Sequence, residues 1–275
     1  MLRLGRVSNL PTVWTNALAG AVLTGHVSAI PVVTAASALS LLYIGGMWLN
    51  DAFDAEIDKR ERPDRPIPSG VAARKTVFFV GFAMLLGGVV LTFALGQGAG
   101  ICGMALAGTV IVYDWLHKRT ALSPVIMGVA RFLAYCLGAL SVGSVSEQAL
   151  FGAVGLFAYI VGLTYAAKQE AYDQLGRIWP LTILAVPILI VLWLGWREPV
   201  THVAGLPLIA VVVYALRRLF RRAKGDVPHA VVTMIAGIAL YDATLIAAVA
   251  PLPLVVLAAG CFVLTLLLQR VAPGT

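Results

Sequence analysis

Apolar residues run along this chain in long blocks, broken by short polar punctuation rather than alternating with it. Blocks long enough to cross a bilayer as helix, about 20 residues, fall at 9–27, 31–53, 75–96, 98–116, 121–143, 148–171, 178–196, 203–221, 229–249 and 252–269. The pattern predicts ten helices. The finest division is the last: the stretch from Pro228 to Arg270 exceeds one span, and Pro251 and Pro253 supply the break, because proline removes a backbone donor and clashes with the preceding turn. Nine helices are the alternative, but nine would strand Arg270 on the side opposite the other basic residues. No connection is long enough to hold a soluble domain. The expectation is a single all-α, polytopic integral membrane bundle over residues 1–275.

Composition agrees. Hydrophobic residues make up 60% of the 275 and charged residues 12%, against about 45–50% and 25% in soluble domains. Mean hydropathy is +0.91. So apolar a chain cannot cover its own surface with polar groups, so membrane lipid is part of its solvent. A net charge of +7 would suggest nucleic acid as the partner of a soluble protein. Here it reads as the bias of Lys and Arg toward the cytoplasmic side, and no nucleic acid is expected. Apart from Arg197 and the intramembrane Arg131, the basic residues, 18 of 20, fall on one side of the ten-helix layout. That places both termini in the cytoplasm, in a multi-pass protein of the plasma (inner) membrane. Arg3 and Arg6 ahead of an apolar stretch, with Val27-Ser28-Ala29 behind it, have the outline of a signal peptide. Asn9, Trp14 and Asn16 interrupt its core, and the segment is read as a helix. Cys102, Cys136 and Cys261 lie in apolar runs without metal-ligand spacing and read as packing residues.

The remaining charge is the informative part. In Asn50-Asp51-Ala-Phe-Asp54-Ala-Glu56-Ile-Asp58, the residues Asn50, Asp54 and Asp58 drift only about 80° around a helix, and Asp51 lies on the same side as Asp58. The stripe descends from the apolar run that ends at Leu49. Carboxylates crowded on one face repel unless a cation sits among them, and a hard-oxygen set suits Mg²⁺, which keeps room for substrate phosphate. A solvated helix end neutralised by Lys59, Arg60 and Arg62 is the plainer reading. Next comes Arg62-Pro63-Asp64-Arg65-Pro66-Ile67-Pro68-Ser69-Gly70, stiffened by three prolines. Its Arg forks suit bidentate phosphate binding, although topological charge on a connector explains them too. The fourth helix ends Tyr113-Asp114-Trp115-Leu116-His117-Lys118-Arg119; Tyr113, Lys118 and Arg119 converge at the depth of the stripe, and His117 reads as an interfacial residue. Glu170 and Asp173 share a face at the end of the sixth helix, beside Lys168 and Gln169. Arg131 and Asp242 are intramembrane charges, and such residues are functional by default. Whether they pair or touch substrate stays open.

These segments have a counterpart. Asn50-Asp51-x-x-Asp54-x-x-x-Asp58 followed by Arg65-Pro66-Ile67-Pro68-Ser69-Gly70 resembles the first aspartate-rich motif of the UbiA superfamily of intramembrane prenyltransferases. Arg6-x-Ser-Asn-Leu-Pro-Thr-x-Trp14-x-Asn16 resembles that family's first helix, and Tyr113 through Arg119 its segment after helix four. Tyr-Asp-x-x-His-Lys, Ser-Pro-x-x-Met-Gly-x-x-Arg and Gly-Leu-Thr-Tyr-x-Ala-x-x-Glu look most like the branch encoded in ebo gene clusters. The resemblance implies a helical bundle, usually of nine helices, with a lipid-open cavity in which two Asp-rich motifs hold Mg²⁺ on a prenyl diphosphate. Carried over, Asn50, Asp54, Asp58, Glu170 and Asp173 are the implied metal ligands, with Asp51 in support. Arg65, Tyr113, Lys118, Arg119, Arg131 and Lys168 are the implied diphosphate contacts. The second motif is thinner than the family's, with Gln169 where a carboxylate is expected.

The implied activity is Mg²⁺-assisted ionisation of a (poly)prenyl diphosphate near the cytoplasmic face, then transfer of the prenyl group to an aromatic or other lipophilic acceptor. Phe53, Trp48, Tyr135 and Tyr165 are candidates for stabilising the allylic cation. A non-catalytic lipid-binding or transport component, and a terpene cyclase, are the rival readings. A CDP-alcohol phosphotransferase is excluded by the absence of its DGxxAR core.

Overall fold

A computed structural model describes residues 4–170, 179–195, 199–221 and 223–271, with backbone alone at 169–170, 179–180 and 194–195. Among them are ten α-helices: α1 (Leu10–Val22), α2 (Ala29–Glu61), α3 (Arg74–Phe93), α4 (Gln97–Leu116), α5 (Ser123–Leu140), α6 (Glu147–Glu170), α7 (Ala185–Gly195), α8 (Val200–Arg221), α9 (Asp226–Ala247) and α10 (Leu252–Val271). Eight are long and apolar enough to cross a membrane. The expected all-α membrane bundle is present, and α9 and α10 part at Pro251.

Three helix ends differ from the pattern, each for a local reason. The first helix was expected to reach 27, but α1 stops at Val22 and the chain turns at Gly25, whose φ of 81° is unstrained only for glycine. The seventh was expected from 178. Instead a 3₁₀ turn, Trp179–Leu184, precedes α7. The ring of Pro187 blocks the carbonyl four residues back, so regular α-helix begins only at Ala185. The second does not end with its apolar run. α2 continues for 33 residues through the acidic stripe, and stops where Arg62 precedes Pro63, a position that disfavours helical backbone.

Most helices pack on their neighbours in sequence, with α2 also meeting α4 and α6 meeting α9, and α1 reaches furthest. It lies against α2, α5, α6, α9 and α10, although its 13 residues cover only about 20 Å. Small residues let it sit deep: a Cβ on Gly20 would strike the α5 backbone, and one on Gly138 the backbone of Ala17. Close approach of this kind is how membrane helices gain packing energy when lipid offers no hydrophobic drive. α9 is enclosed on nearly every face. α3, α8 and α10 turn Phe79, Leu206 and Leu252 outward, each more than half exposed, as a lipid-facing belt requires.

Candidate active site

The site starts at the last three turns of α2. Asn50, Asp51, Asp54 and Asp58 are all buried, with Asp58 only 2% exposed. Buried carboxylates are tolerable only when paired, and the neighbouring segments supply the pairs. The connector after α2 bends back so that Arg65 Nη1 donates to Asp51 Oδ1 at 2.9 Å and to Asp58 Oδ2 at 3.0 Å. Its three prolines hold that return path. Arg6 Nη2 stands 3.9 Å from Asp51. From α4, Lys118 Nζ lies 3.4 Å from Asp54 Oδ2 and 3.9 Å from Asp58 Oδ1, and His117 Nε2 lies 3.2 Å from Asp54 Oδ2. Tyr113 stacks on the His117 ring with centroids 5.1 Å apart. Asn50 Nδ2 donates to Asp114 Oδ1 at 3.1 Å. Glu56 faces away and meets Lys59 and Arg74 in the open.

A cavity of about 520 Å³ adjoins this cluster through Arg6, Tyr113 and Asp114. Arg6, Arg62, Tyr113 and Asp114 line one part of it, and Leu39, Leu106, Ile160 and Val231 supply apolar wall. The volume falls within the usual range for a small-molecule site. It presents charge at one end and hydrocarbon further in, the profile of an amphiphilic ligand.

The structure gathers the α2 stripe, Arg65, Tyr113 and Lys118 as expected, and sends three other residues elsewhere. Arg119 lies over the exposed face of Trp115, 6.0 Å from its centroid. Lys168 Nζ donates to the Thr120 carbonyl at 2.9 Å, bracing the α4–α5 connection. Arg131 sits deeper, over the Tyr43 ring at 5.7 Å. Arg131 and Asp242 are joined through Asn16: Arg131 Nη1 donates to Asn16 Oδ1 at 2.8 Å, and Asn16 Nδ2 to Asp242 Oδ2 at 2.7 Å. Asp173 and the Glu170 side chain lie outside the described residues. The aromatic candidates also move. Trp48 packs on Leu4 and Ala72, Phe53 meets Phe78 edge-on at 5.1 Å, and Tyr135 is fully buried in the core. The rings that line the cavity belong to Tyr43 and Tyr113.

Three participants were not assigned from sequence. Asp114 and His117 lie in the same helix end as Tyr113, at spacings of one and four, so α4 periodicity carries Tyr113 and His117 toward α2 together. Arg6 is brought in by a left-handed backbone (φ 41°) ahead of the 3₁₀ turn Val7–Asn9, which no spacing rule foretells.

The sequence pattern of the UbiA prenyltransferase family matches residues 9–238. The chain belongs to that family. Among curated relatives it is 29% identical over 140 residues to the digeranylgeranylglyceryl phosphate synthase of Pyrococcus horikoshii, covering 50% of each chain. It is 36% identical over 121 residues to that of Ignicoccus hospitalis, covering 44% of this chain and 40% of the relative. The chain thus spans about half the length of the curated relatives it matches. Among solved structures, a UbiA homologue of Aeropyrum pernix superposes with a TM-score of 0.68 at 13% identity, over 87% of this chain and 96% of the other. One from Archaeoglobus fulgidus, bound to GPP and Mg²⁺, superposes with a TM-score of 0.55 at 14% identity, over 98% and 99%. These likenesses establish a shared UbiA fold.

Whether the residues suit Mg²⁺ is decided by donor chemistry. Asn50, Asp54 and Asp58 offer hard oxygens on one helix face, and Asp114 Oδ2 is buried without a hydrogen-bond partner among the described residues. Those groups fit a hard cation that takes part of its shell from phosphate. The oxygens are not gathered into a ready cage: among the described residues no cluster of three ligand side chains is preformed. The carboxylates are instead turned onto Arg65, Lys118 and His117.

Proposed function

We propose that this chain is one integral membrane prenyltransferase domain that takes a (poly)prenyl diphosphate and alkylates a lipophilic acceptor. The observation that carries the reading is the mixed cluster of Asp54 and Asp58 against Arg65 and Lys118, which adjoins a largely apolar cavity through the lining residues Arg6 and Asp114, themselves in contact with Asp51 and Asn50. Asn50, Asp54 and Asp58, with Glu170 and Asp173 from the second motif, are the proposed Mg²⁺ ligands. The bound ion supplies positive charge against the leaving diphosphate. Arg65 and Lys118 exchange carboxylate contacts for phosphate oxygens, so the basic rim accepts the charge that develops as the C–O bond breaks. Tyr113 adds a hydroxyl donor at the same rim. Apolar walls below exclude water from the allylic carbon, and the faces of Tyr43 and Tyr113 stand nearest to stabilise its positive charge. The acceptor then supplies the electron pair for the new bond and loses a proton.

The relatives' name describes a product with prenyl chains on a glyceryl phosphate. That supports a prenyl lipid donor and leaves the acceptor of this chain to be found. The basic residues at the Asp-cluster end support a cytoplasmic site, cytoplasmic termini and a plasma (inner) membrane location. The test is to incubate membranes containing the protein with Mg²⁺ and isotope-labelled geranylgeranyl diphosphate, then analyse the organic phase by mass spectrometry. A labelled conjugate to an acceptor is expected. Label recovered only as unreacted diphosphate would identify a binding component, and a cyclic hydrocarbon without acceptor would identify a cyclase.

A further inference from the structure

The outer side of α8 changes character along its length. Its exposed positions are Val203, Leu206, Ala210, Val213, Arg217 and Phe220. They recur every three or four residues, which is one stripe of an α-helix. From Val203 to Val213 the stripe is hydrocarbon and faces lipid. Beyond it Tyr214, Arg217, Phe220 and Arg221, all exposed, put aromatic rings and guanidinium groups on the same side. Val203 and Arg217 are separated by about 21 Å of helix, more than the roughly 15 Å of one hydrocarbon leaflet. The cations therefore stand at headgroup level, on a surface that lipid touches.

The charge there is one-sided. Five of the eight residues from Arg217 to Lys224 are basic, and Asp226 is the single carboxylate between 199 and 241. Asp226 is buried and already engaged. It accepts from Arg218 Nη1 at 3.0 Å, from Arg221 Nε at 2.8 Å and Nη2 at 2.6 Å, and from the Ala223 backbone N–H at 3.0 Å. These bonds lock two guanidinium groups at the helix end, and Arg218 also lies over the Tyr214 ring at 5.1 Å. Among the described residues no carboxylate reaches Arg217 or Lys224, both exposed. By contrast Arg65, Arg74 and Lys118, in the α2–α4 region, all meet carboxylates. The bias of Lys and Arg toward one side of a membrane sets a number of charges. It does not ask that they project from a lipid-facing stripe beside aromatic rings, with a buried carboxylate locking two of them.

We propose that the end of α8 is a binding site for an anionic phospholipid. Arg217 and Arg221 are four residues apart on one helix face, so their guanidinium groups form a fork for the headgroup phosphate. Arg221 meets Asp226 through Nε and Nη2, which leaves Nη1 for the lipid. Lys224 adds charge from the turn that follows, and clusters of this kind beside a membrane helix attract anionic lipid. Tyr214 and Phe220 sit at the interfacial level that aromatic rings favour, and an acyl chain lies along Val213, Ala210 and Leu206. α8 packs on α9, whose Val231 and Ile235 line the cavity, so the bound lipid braces one wall of that cavity from outside. The site stands apart from the Asp cluster and does not depend on the reaction proposed for it.

The experiment is native mass spectrometry of the full chain in detergent, titrated with dioleoylphosphatidylglycerol or dioleoylphosphatidylcholine, with thermal melting read in parallel. Wild type is expected to hold phosphatidylglycerol about tenfold more tightly than phosphatidylcholine and to melt higher with it bound. Excess inorganic phosphate should not displace it. Arg217→Gln with Lys224→Gln is expected to weaken phosphatidylglycerol by about tenfold or more and to leave phosphatidylcholine within about twofold. Arg60→Gln with Lys75→Gln removes the same charge from exposed positions on the α2–α3 connection and should leave phosphatidylglycerol within about twofold. Should the Arg217, Lys224 variant fail to fold, Arg217→Gln alone reads the same contrast at about fivefold. The proposal is overturned if wild type does not distinguish the two lipids, or if the Arg217 variants keep phosphatidylglycerol as tightly as wild type does. Equal loss in the Arg60, Lys75 variant would show unspecific attraction and overturn it, and displacement by inorganic phosphate would overturn it in favour of a free-anion site. A wild-type dimer that the Arg217, Lys224 variant dissociates would give this face to a second copy and overturn it as well.

Discussion

Two polar clusters share this apolar bundle, and they are built on opposite principles. At the end of α2 and α4, charges of both signs crowd together in direct contact: Asp51, Asp54 and Asp58 against Arg65, Lys118 and Arg6. Deeper in, one cation and one carboxylate are kept apart by an amide, Arg131 to Asn16 to Asp242. The first arrangement is exchangeable. Each carboxylate has a basic partner that a metal and a diphosphate would displace in concert, so ligand arrival swaps contacts without stranding a charge. The second is fixed. Removing its middle member breaks the link between the two buried charges. The crowded cluster suits turnover, and the sparse one suits positioning.

Changes that break this contrast should differ in kind as well as in size. Asp54→Ala with Asp58→Ala is expected to have the largest effect, a loss of about a thousandfold or more in transfer, with the fold intact by circular dichroism. Lys118→Ala should follow, at about a hundredfold in kcat. A change confined to KM would show that Lys118 binds the ground state only. Asn16→Ala acts on the other cluster. It takes the bridging amide from both Arg131 and Asp242 and should cost about 3 kcal/mol of stability, read as a lowered melting temperature in detergent. Unchanged melting would mean that the Arg131–Asn16–Asp242 chain is not structural. Smallest of all is Glu56→Ala. Its contacts with Lys59 and Arg74 are on exposed side chains, so activity and melting should stay within about 0.5 kcal/mol of wild type. A substantial loss there would draw the site wider than the buried face of α2.

The same contrast explains what the sequence disclosed. The first cluster is local: Asn50, Asp54 and Asp58 repeat at helical spacing on α2, and Tyr113 through Lys118 lie within two turns, so periodicity alone brings them to one face. The apolar blocks disclosed the bundle equally directly, because spanning length is set by the bilayer. The second cluster was legible only as two unexplained charges. Arg131 and Asn16 are 115 residues apart, and Asn16 and Asp242 are 226 apart. Nothing in local spacing says that α1, short and glycine-packed, is threaded between α5 and α9. Arg119 and Lys168 misled for the same reason. Their helices were placed correctly, but the direction of a long side chain depends on neighbours, here Trp115 and the Thr120 carbonyl. His117 was read as interfacial because it lacks a second histidine at ligand spacing. Its partner is Asp54, on another helix.

In the proposed function the α2 carboxylates drive ionisation of a prenyl diphosphate. The most direct measurement is release of inorganic diphosphate by the purified chain from geranylgeranyl diphosphate, with a lipid extract supplying acceptor, in Mg²⁺ and in EDTA. Release is expected from wild type in Mg²⁺, none in EDTA, and none above background from the Asp54→Ala, Asp58→Ala variant. Equal release by wild type and variant, or release undiminished by EDTA, would contradict it.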